Sequence, residues 1–138
     1  ENPAGKGTTP GKERAHLERM VAGSTYDFDD VGVCLDSCHL WAAGYDFTTE
    51  DDLDDLVAEI EETFGLENLH YLHLNDSKHP LGSEKDEHEH IGEGEIGDDP
   101  FETLVNHDAT RDLPMVLETP VDDKGYDWNI EKVRSLRH

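Results

Sequence analysis

Seven side chains of the types that hold metal ions are candidates for one site, and most of them stand where an apolar run gives way to a polar stretch. Asp36 ends the run Val31-Gly32-Val33-Cys34-Leu35, with His39 three residues on. His73 lies at the end of Leu69 to Leu74, Glu118 closes Pro114-Met115-Val116-Leu117, and Glu1 opens the chain. Asp86 and His88 follow in a polar loop, as alternate residues that point the same way in extended backbone. Taken singly, each has a plainer role: Asp36 as a helix cap, His73 as an interior histidine, Glu118 as half of a buried ion pair. Together they make four carboxylates and three imidazoles at one rim. Carboxylates gathered so closely raise one another's pKa by repulsion, and the chain has only 11 Lys and Arg to offset 34 Asp and Glu. Divalent cations remove that conflict. Mixed imidazole and carboxylate ligation suits Zn²⁺ first and Mn²⁺ or Fe²⁺ second.

Two other motifs fail on their context. Gly92-Glu93-Gly94-Glu95-Ile96-Gly97 matches the glycine pattern of dinucleotide sites, but it follows a polar loop where a strand is needed, and its two glutamates would face the pyrophosphate. Asp122-Asp123-Lys124-Gly125 lacks the ligand spacing of a calcium loop. Cys34 and Cys38 read as small apolar wall residues and not as zinc thiolates. In extended backbone they would lie ~13 Å apart, too far for a disulfide, which points to a reducing cytoplasm.

The elements that would position these residues can be read from the hydrophobic spacing. Leu53, Leu56, Val57, Ile60 and Phe64 recur with helical period between a Thr48 or Thr49 cap and Gly65, which predicts a helix over Thr49 to Phe64. Further helices are expected from Lys12 to Gly23, from Asp98-Asp99-Pro100 with Phe101, Leu104 and Val105 inward, and from about Asp127 with Ile130, Val133 and Leu136. Between them, Val31 to Asp36, Leu69 to Leu74 and Pro114 to Glu118 read as buried parallel strands. The alternation is an α/β layout, and a metal-type residue near the carboxyl end of every strand is the arrangement of a (β/α)8 barrel. Three strands cannot close a barrel, which needs about 250 residues. Because the chain also opens on Glu1 and not Met, a piece of something longer is expected. Asn75 to Gly97 is left as one long loop, of a length that usually carries function.

The chain of 138 residues allows one domain, and 34% hydrophobic residues allow an economical core. No apolar run approaches the ~20 residues of a membrane span, and no secretory leader is read at the front. The net charge is -23, spread through every segment and alternating with apolar residues, which is the pattern of a folded protein living in concentrated salt. Such a charge repels phosphate, so a nucleic-acid function would have to bring in cations of its own.

The motif-bearing segments resemble the endonuclease IV family, the zinc-dependent apurinic/apyrimidinic endonucleases of the (β/α)8 class. The similar segments are Glu1-Asn2-Pro3-Ala4-Gly5-Lys6-Gly7, Val33 to His39 with Ala42 to Asp46, His73 to Lys78, Asp86-Glu87-His88 running into Ile91 to Gly97, and Leu117-Glu118-Thr119-Pro120. They span the chain in order. The resemblance implies that residues 1–138 form a single partial domain, the C-terminal half of a TIM barrel of that family. It implies a cluster of three zinc ions that cuts double-stranded DNA on the 5′ side of an abasic site and leaves a 3′-hydroxyl. Carried over by position, Glu1 would bridge the first and second zinc, Asp36, His73 and Glu118 would complete the second, and His39, Asp86 and His88 would hold the third. Glu1, Asp36 and Glu118 are then the catalytic carboxylates. Two histidines of the first zinc and the loops that probe the minor groove would belong to a missing N-terminal half, so this chain is expected to hold two zincs and not to cleave alone. Glu87 and Glu84 stand where positive charge would help to bind DNA, and Pro3 and Lys6 vary the opening motif.

Two other functions use the same residues. A sugar isomerase or epimerase of the xylose-isomerase-like barrels needs two ions and a proton shuttle, whereas Asp86 and His88 before a glycine-rich loop favour a third ion. A non-catalytic metal-binding module would bind zinc and leave DNA intact. The charge alone generates a prediction: with self-repulsion unscreened in dilute buffer, the chain should be more compact and stable in molar KCl. Circular dichroism across a salt titration checks this, and equal stability in dilute buffer would count against salt adaptation.

Overall fold

In parallel strands, residues paired across the ladder share a face and successive residues alternate faces, so the register decides which side chains can meet. The computed structural model describes residues 32–122 and 124–138; Glu1, Val31 and the helix expected over Lys12 to Gly23 lie outside the described residues. β1 (Val33–Asp36) pairs in parallel with β2 (Leu69–Leu74), placing Asp36 opposite His73, and β2 pairs with β5 (Met115–Leu117), placing His73 opposite Val116. Leu35, Leu72 and Leu74 of one face join the buried core, with Met115 and Leu117 packed against it. Asp36, Tyr71, His73 and Val116 share the other face. There Tyr71 is 39% exposed and Val116 44%. The expectation of strands buried throughout is corrected accordingly: among the described residues the helices cover one face of the sheet.

Those helices form where the spacing predicts, with adjustments. α1 (Ser37–Ala42), not among the helices read from hydrophobic spacing, starts directly at the end of β1. α2 (Glu50–Thr63) is closed at its start by a capping box, in which the Thr49 hydroxyl accepts from the Asp52 N–H and the Asp52 carboxylate accepts from the Thr49 N–H, both at 3.1 Å. It buries Leu53, Leu56 and Ile60. α3 (Asp98–Asn106) buries Phe101, Leu104 and Val105 behind Pro100 in its first turn. Trp41, Phe47 and Phe101 run through the core edge to face, with ring centroids 5.9 and 6.5 Å apart.

α4 (Gly125–Leu136) begins two residues before the expected Asp127. Val133 and Leu136 reach the core, but Ile130 does not, and the buried residue of this helix is Asn129. Ile130, a 100° turn further round the helix, is 38% exposed. Asn129 is retained inside by its hydrogen bonds: its carbonyl oxygen accepts from the Ile91 N–H at 2.9 Å, and its amide nitrogen donates to the Gly125 carbonyl and to His90 Nδ1. His90 in turn donates from Nε2 to Asp122, which holds that carboxyl below its ordinary range.

The long loop has an order of its own. β3 (Asp76–Ser77) and β4 (His88–Glu89) form a short antiparallel ladder, with Ser77 opposite His88. The glycine-rich stretch then folds around the fully buried carboxylate of Asp76. Oδ1 accepts from the N–H of Ser77 and Ile96, and Oδ2 accepts from those of Gly92, Gly94 and Gly97, at 2.7 to 3.2 Å. Burial pushes this carboxyl above its ordinary range, and the surrounding N–H donors pull against it. Gly94 is required because a Cβ there would collide with the Ser77 carbonyl and the Asp76 carboxylate, and Gly97 sits at φ +80°, which L side chains avoid. Among the described residues no helix is long and apolar enough to cross a membrane.

An asparagine at position 76 offers one acceptor oxygen to these donors and turns its own N–H groups towards the rest. Asp76→Asn should therefore cost at least about 1–3 kcal/mol, the penalty for leaving one buried donor unpaired. Urea unfolding in molar KCl measures it; a D76N variant as stable as the parent would show that the carboxylate does not hold the loop.

Candidate metal centre

Asp36 uses its two oxygens for different tasks. Oδ1 accepts from the backbone N–H of Cys38 at 2.8 Å and of His39 at 3.2 Å, the N-cap of α1. The cap reading and the site reading of this residue are thus compatible. Oδ2 lies 3.5 Å from His73 Nδ1 and 3.8 Å from His88 Nε2. Because Asp36 and His73 are register partners on one face, and Glu118 follows Val116 of the same face by two residues, the sheet itself delivers these side chains to one place. Glu118 Oε1 approaches His73 Nδ1 to 2.6 Å.

A second group adjoins the first. The turn from β1 into α1 brings His39 Nε2 within 2.7 Å of Asp86 Oδ2, and the ladder of β3 with β4 brings His88 Nε2 within 3.3 Å of Asp86 Oδ1. Within each of the sets Asp36, His73, Glu118 and His39, Asp86, His88, one donor atom per residue lies within 4.8 Å of the others, a spacing that could hold a metal ion. Six of the seven sequence-predicted residues therefore converge, and the seventh, Glu1, lies outside the described residues.

The donor chemistry around His88 favours a cation. His88 Nδ1 lies 2.8 Å from the Glu118 carbonyl oxygen, which can only accept, so the proton is on Nδ1. In the neutral ring the Nε2 lone pair then points at carboxylate oxygens of Asp86 and Asp36. Only a proton or a metal ion between them makes that arrangement attractive. An imidazole fixed by a backbone carbonyl at one nitrogen and presenting the other is the usual setting of a metal ligand.

Cys38, set aside as a wall residue, is buried with its sulfur 3.6 Å from Asp86 Oδ1 and 3.7 Å from the Glu87 carbonyl. Burial first, and the carboxylates of Asp36 and Asp86 after it, push the thiol up to about 12. It therefore stays an S–H donor to Asp86. Cys34 is also a free thiol; Cys38, being in α1, is not on the extended segment assumed in the ~13 Å separation. Glu87 is drawn down from its ordinary range by a 2.8 Å hydrogen bond from His79.

Composition and spacing do not single out two residues next to the site. Asn75, fully buried, donates from Nδ2 to Asp36 Oδ2 at 3.0 Å and accepts the Glu118 N–H on Oδ1 at 2.7 Å. Ser37 donates from Oγ to the Asn75 carbonyl at 2.7 Å and accepts its N–H at 2.8 Å. Ser37 directly follows Asp36 and Asn75 stands two residues after His73, yet nothing in a sequence distinguishes a buried amide from a turn asparagine.

The chain is similar to known proteins. A family model described as a xylose isomerase-like TIM barrel matches residues 1–137. The chain is 49% identical over 138 residues to a probable endonuclease 4 of Halobacterium salinarum, covering 99% of this chain and 49% of the relative, and equally to one of Haloarcula marismortui. It superposes on the crystal structure of endonuclease IV from Thermus thermophilus with TM-score 0.73 and 36% identity, over 98% of this chain and 47% of that one. The chain spans about half the length of the curated relatives it matches. It belongs to the xylose isomerase-like TIM barrels.

Proposed function

We propose that this chain supplies the metal-holding half of the active site of a zinc-dependent apurinic/apyrimidinic endonuclease, which hydrolyses the phosphodiester 5′ to an abasic site in double-stranded DNA. The observation that carries the reading is the pair of adjoining ligand groups, with Asp36 Oδ2 facing His73 of one and His88 of the other. Asp36, His73 and Glu118 would hold one zinc, and His39, Asp86 and His88 another, with Glu1 bridging from outside the described residues. Mn²⁺ also suits such mixed sites. Zinc bound there supplies a water of lowered pKa and a Lewis acid for the phosphodiester.

The chain's own residues do the rest. Asp36 is held by the α1 N–H groups so that Oδ2 alone turns to the site, the Glu118 carbonyl keeps the His88 proton on Nδ1, and the Cys38 thiol steadies Asp86. The carboxylate sum at the site, and with it any attraction for phosphate, then depends on the bound cations, because the chain at net charge -23 offers little else. An intracellular, cytoplasmic setting fits two free thiols.

Elemental analysis after dialysis in molar KCl should find two zincs per chain, and Asp86→Ala or His88→Ala should release one, since both belong to a single group. A zinc content near zero would overturn the reading. For activity, an end-labelled duplex carrying a tetrahydrofuran lesion should stay intact with this chain alone and be cut, in an EDTA-sensitive way, when the N-terminal half of the Halobacterium salinarum relative is added. Robust incision by the chain alone would show that the expected first zinc site is not needed, and zinc binding with no incision in the mixture would favour the isomerase-like or non-catalytic readings.

A further inference from the structure

We propose that Asn75 is the positioning residue of the Asp36, His73, Glu118 group, and that its side-chain amide sets the geometry in which two carboxylates from separate strands meet one divalent ion. The inference rests on the metal reading above. Asn75 is fully buried one residue past β2, between the ends of β1 and β5. The amide cannot be turned the other way round. The Glu118 N–H can only donate, so the oxygen must face it at 2.7 Å, and Nδ2 is left to donate to Asp36 Oδ2 at 3.0 Å.

That second bond falls on the oxygen that matters. Oδ1 of Asp36 is engaged by the α1 cap, so Oδ2 is the one near His73 and His88. A neutral donor on Oδ2 fixes the carboxylate plane without cancelling its charge, which a Lys or Arg there would do. The bond to the Glu118 N–H fixes the backbone from which that carboxylate reaches His73. Asn75 itself is braced by two hydrogen bonds with Ser37, at 2.7 and 2.8 Å, so the amide is anchored to the start of α1 as well. Asn129, the other fully buried asparagine among the described residues, spends its side-chain bonds on His90, Ile91 and Gly125, away from these ligand groups. Its role is in the fold; the contacts of Asn75 end on two of the three members of one ligand set.

The test is metal affinity measured separately for the two groups. Zinc titration against a chromophoric chelator in molar KCl is made on the 138-residue chain, on Asn75→Asp and Asn75→Leu, and on the same two changes in an Asp86→Ala background, where only the Asp36 group is left to bind. Asn75→Asp keeps an acceptor for Glu118 and loses the donor to Asp36; Asn75→Leu loses both. The Asp36 group should weaken on the order of 10- to 100-fold, more in Asn75→Leu than in Asn75→Asp, with the affinity of the His39, Asp86, His88 group unchanged. A purely structural role would weaken both groups together, and that result, or unchanged affinity in both variants, overturns the inference. Should the Asp and Leu variants fail to fold, Asn75→Ser, which leaves room for a water in place of the amide, is read in the same way. Absence of zinc binding by the unaltered chain would instead overturn the metal reading itself.

Discussion

The structure depends on how one buried carboxylate is divided. Asp36 has no exposed surface, and an isolated ion in that position would be costly to desolvate. Its Oδ1 is satisfied by the first N–H groups of α1, which decides that β1 must end there and the chain turn at once. Its Oδ2 is satisfied by Asn75, which decides how close the ends of β1 and β2 lie. Helix start, strand end and the approach of His39 to Asp86 all follow from these few bonds. A position that caps a helix with one oxygen and faces two imidazoles with the other cannot be exchanged even for asparagine without giving up one of the two tasks.

The same solution recurs at Asp76. Internal anions in this chain are met by backbone N–H groups and amides, seldom by Lys or Arg, of which there are 11 in all. The glycine-rich stretch 92–97 explains itself in this light. Its run of small residues lets successive N–H groups converge on an anion, as glycine loops do around phosphate. Here the anion is the protein's own Asp76. By wrapping that side chain the loop leaves the β3–β4 ladder in place, and with it His88.

Much of this was legible in the sequence because burial has a period. α2 and α3 show the 3.6-residue spacing, and the three apolar runs formed the three parallel strands in their expected places. Asp36, His39, His73 and Glu118 were legible because each lies at or just past the end of such a run, and Asp86 and His88 as alternate residues of a polar loop. What was not legible depends on partners distant in sequence. Asn129 and Ile130 are adjacent, and hydropathy favours the isoleucine, but the amide is inside because His90 and Ile91 present a lone pair and an N–H that water cannot reach. Tyr71 and Val116 are exposed on the face that also carries His73, which hydropathy alone does not foretell. Asn75 reads as a turn residue until the register of β1, β2 and β5 shows what lies on either side of it.

The 34 acidic residues pose two electrostatic problems that answer to different conditions. Glu50, Asp51, Asp54, Asp55, Glu61 and Glu62 stand on α2 within reach of solvent, where dissolved salt meets them and molar concentrations shorten the screening length to ~3 Å. Asp36 and Asp76 are out of reach of that salt, and their repulsion or desolvation has to be met by fixed donors or by an ion held in place. Salt dependence of the fold and metal dependence of the site are therefore separable. The same separation bears on the proposed substrate. High salt weakens the repulsion between an acidic surface and DNA, but it also removes the long-range attraction on which basic nucleic-acid binders rely. On the proposed reading, affinity in such a medium has to come from short-range contacts at the ligand groups, where the buried Asp36 is out of reach of bulk salt and the exposed Asp86 and Glu118 act through their close approach to His39 and His73.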